Sequence, residues 1–587
     1  MRKFIFPLIF ILISLQFSFG VIFGQKIYSV DSGVFQQPAE LVFRDAEIWF
    51  YNLGIFGMPS FVGYNGDLLY SVAVMMDGRP LRNLKSGVID WNLIPEVAVT
   101  NVKVGDGQLW EDVEIFTGPG IDLKTELFTS DSTESRIVYK RGDYNYDNVI
   151  VSVAKPLRKN TSILIGGIRK SYEGRYGRTD LLHDQILGKL NHKVNENLNI
   201  VLISFYNQRK VSYFNYVAEF NSINYGRNRT ASYDHTILLN GYIRGKMPFK
   251  LYGYISSYSD RTNQSLPVRF RKDEVYYYGI KYQQIVSSSP GRRLGYGGIF
   301  ERHKIRDIEY GEAGEKYYNT WISGTLSRGN MVLFGYYLGL QYGIDNRIKF
   351  TPSLSLNFTG RGGGYAKLKY SESRSYLPLD FSLSRSWYNL SYPDKAVDYK
   401  LYELKTGVQW RGFIFEGKIL KRGYSRFLII RGDTKLEPML LKVSGTTGIA
   451  GSFFFSFPYG FEGSLSYNHL FNGDNSYYYG AREKLFLTLT GKHTFFDDNL
   501  KITARFEGLA LNGIKKLNYD PFFKIFKYSD DSTGPELVVN FRLTGTIGPF
   551  TIFYILENFL SREYELIEGY PMLQKALFFG VDWKFTG

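Results

Sequence analysis

From about residue 135 to its C-terminus the chain alternates apolar and polar side chains with period two, and almost no stretch has helical periodicity. Phe579, Val581, Trp583 and Phe585 fall on one face of the last segment, with Gly580, Asp582 and Lys584 on the other. Leu500, Ile502, Ala504 and Phe506 alternate in the same way with Lys501, Thr503, Arg505 and Glu507. So many strands without helices predict an all-β fold. Alternation alone does not choose the inner face. A soluble sandwich turns its apolar face inward, and a membrane barrel turns it outward to lipid.

The spacing of the connections makes that choice. Tight polar turns such as Arg158-Lys159-Asn160, Asn195-Glu196-Asn197, Ser289-Pro290-Gly291 and Asp497-Asp498-Asn499 recur along the chain. Between them lie longer connections, among them Tyr172–Asp184, Lys210–Asp234, Ser373–Tyr399 and Asn512–Pro535, with short exceptions near Gly142–Asp147 and Ile344–Arg347. Alternating short and long connections are the pattern of an outer-membrane barrel. The segments number about 22, an even count that brings both ends of the barrel to the same side. Tyr276–Tyr278, Tyr317-Tyr318, Tyr336-Tyr337 and Tyr477–Tyr479 sit near strand ends and read as an interfacial aromatic girdle, with ordinary β-propensity as the alternative. A soluble propeller would repeat every 40–50 residues or so, and no such repeat is present.

The N-terminus has the layout of a secretory signal peptide over residues 1–24. Arg2 and Lys3 precede an apolar run from Phe4 to Phe19, with small residues at Ser18, Gly20 and Gly24 for cleavage after Gly20 or Gly24. An uncleaved anchor is the alternative. The chain has no cysteine, which excludes a lipoprotein, disulfides, cysteine-ligated metals and thiol chemistry. Its six histidines (His183, His192, His235, His303, His469 and His493) show no zinc-protease spacing, and no nucleophile elbow is present. His469 could face the lumen near Glu462, and Asp497-Asp498 and Asp530-Asp531 could touch calcium, although solvated residues are the simpler reading. No catalytic residue, metal site or cofactor is therefore assigned, and an enzyme is not expected. The formal charge is +15, but the bases are spread along the chain rather than clustered, so nucleic acid is not the expected partner. Membrane lipid and lipopolysaccharide phosphates fit better. Arg261, Arg269, Arg271 and Lys272 are candidates for a cationic loop surface, with Arg292 and Arg293 at a tight turn.

Residues 25–134 form a separate, less regular unit. Ser71 to Met76 make a short apolar strand that meets Asp77-Gly78, a strong turn former, then Arg79-Pro80-Leu81. The stretch VAVMMDGRPL … IDWNLIPEVAVTNVKVGDG resembles the plug domain of TonB-dependent outer-membrane receptors, through Asp77, Gly78, Pro80, Leu81, Ile94, Pro95 and a strand ending at Gly105. The stretch Asn558–Phe585 is similar to that family's closing hairpin. The departures are a short plug and Gln108–Gly120 in place of a Gly-rich stretch. The only candidate for the segment that the energy-coupling protein grips is Ile27–Val30. The resemblance implies an about 22-stranded antiparallel outer-membrane β-barrel over residues 135–587 with a small N-terminal plug, the plug facing the periplasm. It implies a receptor-transporter for an unidentified ligand, coupled to the TonB complex and inserted by machinery that reads the C-terminal Phe585. Asp77, Gly78, Arg79 and Pro80 would shape a gating turn. Trp387, Tyr388 and Tyr392 in a long loop would touch ligand. A passive porin-like channel without energy coupling, and a structural or adhesive surface barrel, remain open alternatives.

Overall fold

The computed structural model describes residues 26–587 except 30–38, 68–70, 82–86, 98, 111–112, 126–127, 129–130, 175–178, 218–221, 266–267, 290, 308–310, 329–331, 344–345, 361, 377–395, 432–436, 442–444, 472–476 and 522–523. The leader, Val30 and the loop residues Trp387, Tyr388 and Tyr392 thus lie outside the described residues.

From Glu134 onward each wall strand pairs antiparallel with the next wall strand until the last, Ala576–Thr586, pairs with the first, Glu134–Gly142, and closes a barrel; the hairpins Phe427–Arg431/Glu437–Leu441 and Glu565–Ile567/Tyr570–Pro571 stand apart from it. Ile525–Thr533 joins only the outer part of Leu500–Asp520, whose lower part pairs directly with Glu536–Ile547. The wall therefore has 22 spanning strands, as the turn spacing predicts. The tight turns gather at one end, hereafter the turn end, and the longer connections at the other, the loop end.

Several segments expected as loops are continued strands. Leu198–Val217 and Ser222–Ile243 are 20 and 22 residues long, about twice what a membrane crossing needs. Their ladder runs unbroken from Leu198↔Gly241 to Val217↔Ser222. The polar residues between Lys210 and Asp234 read as loop because beyond the membrane the outward face is polar, while the inward face mixes apolar Val211 and Tyr213 with buried Asn228 and Thr230.

Burial settles which face is inside. Outward positions are apolar and exposed, including Ile165, Ile186, Ile237, Ile255, Ile280, Ile322, Leu340 and Phe579. Inward positions are polar and buried, including Lys140, Gln185, Asn207, Arg209, His303, Ser371, Lys418, Arg422 and Arg542. A soluble protein reverses this distribution, so the wall is built to face lipid. The tyrosine clusters divide by parity. Tyr276 and Tyr278 face out and Tyr277 faces in, while Tyr318 is exposed and Tyr317 buried. Tyr478 and Tyr479 are buried and belong to no girdle. His469 does not take the lumen position near Glu462 that the sequence permits. It lies on the outward register and meets Glu483 at 3.0 Å, while Glu462 pairs with Lys492. Arg271 is no surface cation, being buried against Asp273 at 3.2 Å.

The segment before Glu134 fills the lumen. Its strands are β1 (Lys26–Ser29), β2 (Ile48–Tyr51), β3 (Phe61–Tyr64), β4 (Ala73–Met76), β5 (Arg79–Leu81), β6 (Val99–Trp110) and β7 (Val113–Thr125). The main sheet has the order β1-β6-β7-β4-β5, and β2 pairs with β3. Its core packs Val74, Met76, Trp91, Val102, Val104, Ile121 and Leu123. The strand expected to end at Gly105 runs on to Trp110, through irregularities at Asp106 and Gln108.

Candidate functional site

The seam between plug and wall is where the chemistry concentrates. Asp77 and Gly78 are the two central residues of the β4–β5 hairpin, with φ of 53° and 87°. Two successive positive φ values define the primed turn that Asp-Gly favours. The Asp77 carboxylate accepts from the Thr125 backbone N–H at 3.0 Å and from the Thr125 hydroxyl. Gly78 N–H donates to Asp122 at 3.0 Å. The turn is notched into the wall. Tyr252 donates its hydroxyl to the Asp77 carbonyl at 2.8 Å, and the Lys281 ammonium donates to the Gly78 carbonyl at 2.6 Å. A Cβ at Gly78 would lie 2.8 Å from the Tyr252 oxygen. Pro80 sits in β5, the sheet's edge, where a missing N–H breaks no ladder.

Arg79 is 1% exposed and enters the wall itself. Its guanidinium forks onto Asp234, with Nη2 2.6 Å from Oδ2. It also donates to Thr236, Ser256 and Tyr277 at 2.5, 2.6 and 2.7 Å, and lies 4.6 Å from the Tyr254 ring centroid. Burial works against its charge, but the Asp234 carboxylate more than restores it, so Arg79 holds its proton more firmly than a free arginine.

Across the lumen, β6 presents Asp106 to two wall cations, Lys418 at 3.1 Å and Arg422 at 3.0 Å. Lys418 also meets Glu47 at 2.7 Å and Glu403 at 3.0 Å, and Arg422 meets Asp67 at 2.9 Å. Burial pushes both plug carboxyls up. At Asp106 Lys418 and Arg422 together overcome it and hold the group below the usual carboxylate range. At Asp67 Arg422 does not, and the carboxyl is pushed up to about 6. A third cluster ties Arg44 to Glu507, which also accepts from Arg542 at 3.1 Å. There the Lys484 ammonium donates to the carbonyls of Asp45 and Ile48 at 2.9 and 2.7 Å.

The seam has a polarity. Lys170–Glu96, Lys189–Asp77, Arg209–Asp90, Lys369–Glu114, Lys418–Asp106, Arg422–Asp67 and Arg542–Glu40 each join a wall cation to a plug carboxylate. Only Arg79–Asp234 and Arg44–Glu507 run the other way among the described residues. These buried pairs give the docked plug a register, because a displaced plug leaves carboxylates and cations facing each other unpaired.

At the loop end an aromatic roof covers the plug apex. Phe56 reaches Tyr146 and Tyr172 at centroid distances of 4.8 and 4.9 Å, and Phe61 and Tyr51 reach Phe526 at 5.2 and 5.3 Å. The strand Phe427–Arg431 packs into the same core, with Phe427 5.5 Å from Tyr479. Below the apex a cavity of about 150 Å³ is lined by Phe56, Met58, Lys170, His183, Arg542 and Glu557. The buried hydroxyls of Tyr51, Tyr213, Tyr519 and Tyr570 have no hydrogen-bond partner among the described residues. Sequence reasoning missed these phenols, because each reads as one more strand tyrosine. It also missed the seam, because Asp106 and Arg422 are far apart in the chain, and Asp106, although within the plug-like stretch, has nothing near it in sequence that marks a partner.

No protein-family model matches the sequence. No curated protein matches it either. Solved structures do match. The FrpB iron transporter from Neisseria meningitidis is 13% identical, with a TM-score of 0.76 over 96% of this chain and 100% of that one. The siderophore receptor PirA from Pseudomonas aeruginosa is 12% identical, with a TM-score of 0.68 over 96% and 100%. A mutant of the ferric enterobactin receptor PfeA from Pseudomonas aeruginosa is 12% identical, with a TM-score of 0.75 over 96% and 98%. The chain has the plugged-barrel receptor fold. Likeness at this identity carries the architecture across nearly the whole chain, and the role of each residue rests on the geometry above.

Proposed function

We propose that this protein is an outer-membrane receptor that captures a ligand beneath its loop-end roof and admits it by rearranging the plug. The observation that carries the reading is the seam. A lumen filled by a separate sheet, and keyed there by buried ion pairs beneath an apolar core shared with the wall, is closed at rest and can be reopened in a defined way. The division into a plug over 25–134 and a barrel over 135–587 belongs to this reading, as does the placement of the turn end in the periplasm and the loop end outside. Asp77, Gly78, Arg79 and Pro80 form its gating turn. Tyr51, Tyr519 and Tyr570 line the ligand's route, and Trp387, Tyr388 and Tyr392 are further ligand contacts.

The ligand class is a ferric chelate. The similar structures include an iron transporter and a siderophore receptor, and an aromatic roof with buried phenol hydroxyls suits a flat, oxygen-rich complex. Energy coupling would act through the segment containing Ile27. β1 is an edge strand whose ladder among the described residues is with β6 alone, so it can be peeled away without breaking the core sheet. Insertion through the terminal aromatic Phe585 completes the partner set.

The test is uptake of radio-iron presented on a panel of chelators, in cells expressing the full chain with and without an intact TonB complex. Accumulation of one chelate that requires the complex is the expected result. Accumulation independent of the complex would make the protein a passive channel. No accumulation of any chelate, with surface adhesion through the loops, would make it an adhesive barrel.

A further inference from the structure

The outward face of the wall carries a cationic cluster that neither ligand uptake nor folding explains. Arg302 on the strand Arg292–Asp307 and Lys316 on the strand Gly311–Arg328 are direct register partners. Both side chains are exposed on the outer surface. Like charges placed opposite each other on one sheet face destabilise it. Lys304, Arg306 and Lys272 stand beside them on the same face. Two carboxylates answer this group, and both pair with its outer members rather than with Arg302 or Lys316. Glu312 takes Lys304 at 2.9 Å and Arg306 at 3.7 Å, and Glu274 takes Lys272 at 2.7 Å. Arg302 reaches only the Tyr278 hydroxyl, at 3.3 Å, and Lys316 meets no acceptor among the described residues.

The height of the cluster is informative. Arg292 and Arg302 bracket the outward run Leu294, Tyr296, Gly298 and Phe300. Ten residues of strand span about 34 Å, and a tilt near 40° leaves about 26 Å along the membrane normal, close to the roughly 25 Å apolar belt of such barrels. Arg302 therefore stands where lipid headgroups begin at the loop end. Directly beneath it lie Ile280, the Phe300–Tyr318 ring pair at 4.9 Å, and Ile322.

We infer that Arg302 and Lys316, with Lys304 beside them, form a binding site for a phosphate group of an outer-leaflet glycolipid, whose acyl chains lie on the apolar surface below. A phosphate oxygen between the two cations replaces their repulsion with charge-assisted hydrogen bonds. The inference rests on the proposed outer-membrane orientation, in which the loop end faces outward, and is independent of what the plug admits.

The test titrates purified full-length protein in detergent with a bisphosphorylated, acylated glucosamine disaccharide, and follows bound lipid by native mass spectrometry. The dephosphorylated lipid and inorganic phosphate serve as the comparison arms. The expected result is binding that requires the lipid's phosphate, weakens at least about tenfold in Arg302→Gln/Lys316→Gln, is recovered in Arg302→Lys, and is unchanged in Arg292→Gln at the turn end. Equal binding of the dephosphorylated lipid, or no loss in the double variant with its thermal midpoint intact, would overturn the inference. Displacement of the lipid by inorganic phosphate at matching concentration would also overturn it, since the site would then be for a free ion. None of these outcomes touches the uptake experiment, so the two readings fail separately.

Discussion

Replacing Arg79 with leucine removes the buried plug partner of the ion pair that anchors the β4–β5 turn in the wall. The guanidinium forks onto Asp234 and also donates to Thr236, Ser256 and Tyr277. Without it, the Asp234 carboxylate keeps a hydrogen bond from Ser256 at 2.5 Å and a long one from Thr236 at 3.5 Å, in a side chain only 13% exposed. Breaking a buried pair by deleting one partner costs about 3–5 kcal/mol, because the other charge stays buried. If that cost falls on plug docking, the undocked fraction rises between about a hundredfold and several thousandfold. Planar-bilayer recordings of the full-length variant measure this as the fraction of time spent in conducting events. Arg79→Leu/Asp234→Leu should recover most of the closure, since the double change leaves no orphaned charge. A single variant as silent as the parent, or a double variant as leaky as the single one, would refute the argument that this pair holds the plug.

The remaining expectations are briefer. Asp67 is pushed from 3.8 to about 6 in the folded protein, so between those pH values the folded state binds the extra proton. This contribution is fully present below pH 3.8 and is lost as pH rises through 6, on the order of 3 kcal/mol. The thermal midpoint should therefore gain from this group on going from pH 7 to 5, and Asp67→Asn should remove that gain in a melting series. Gly54→Ala should detach the loop around Pro571, because φ at Gly54 is 67° and an added Cβ would lie 2.2 Å from the Pro571 carbonyl oxygen. Faster protease cleavage within 558–575 checks it. Ile322→Arg places a charge near mid-depth on the lipid face and should cost about 2–4 kcal/mol in refolding titrations from liposomes, whereas Ile322→Leu should be silent.

The barrel was legible because its constraints are local and repeated. Period-two patterning and tight turns such as Asn195–Asn197 are written in adjacent residues, and the alternation of connection lengths follows from them. The Asp77-Gly78 turn was legible for the same reason, since a two-residue primed turn needs those residue types. The lengths of the outer strands were not, because beyond the membrane the outward face is polar and the inward face mixed, so the apolar alternation is lost, as between Lys210 and Asp234. Nor was parity within the aromatic runs, so Tyr478 and Tyr479 passed for girdle residues when both are buried and Tyr479 belongs to the roof. The seam was least legible of all. Lys418, Arg422, Asp67 and Asp106 look like ordinary solvated charges until barrel closure brings plug and wall together. Trp387, Tyr388 and Tyr392, chosen as ligand contacts for their loop position, fall outside the described residues, and the structure brings forward Tyr51, Tyr519 and Tyr570 instead.

The central claim is that residues 25–134 close a barrel that would otherwise be open. Single-channel conductance of the refolded protein, with and without those residues, tests it most directly. The account predicts a closed full-length protein and a strongly conducting deletion, both with the β-sheet circular dichroism of the folded barrel. Steady conductance through the full-length protein, unchanged when the segment is removed, would contradict it.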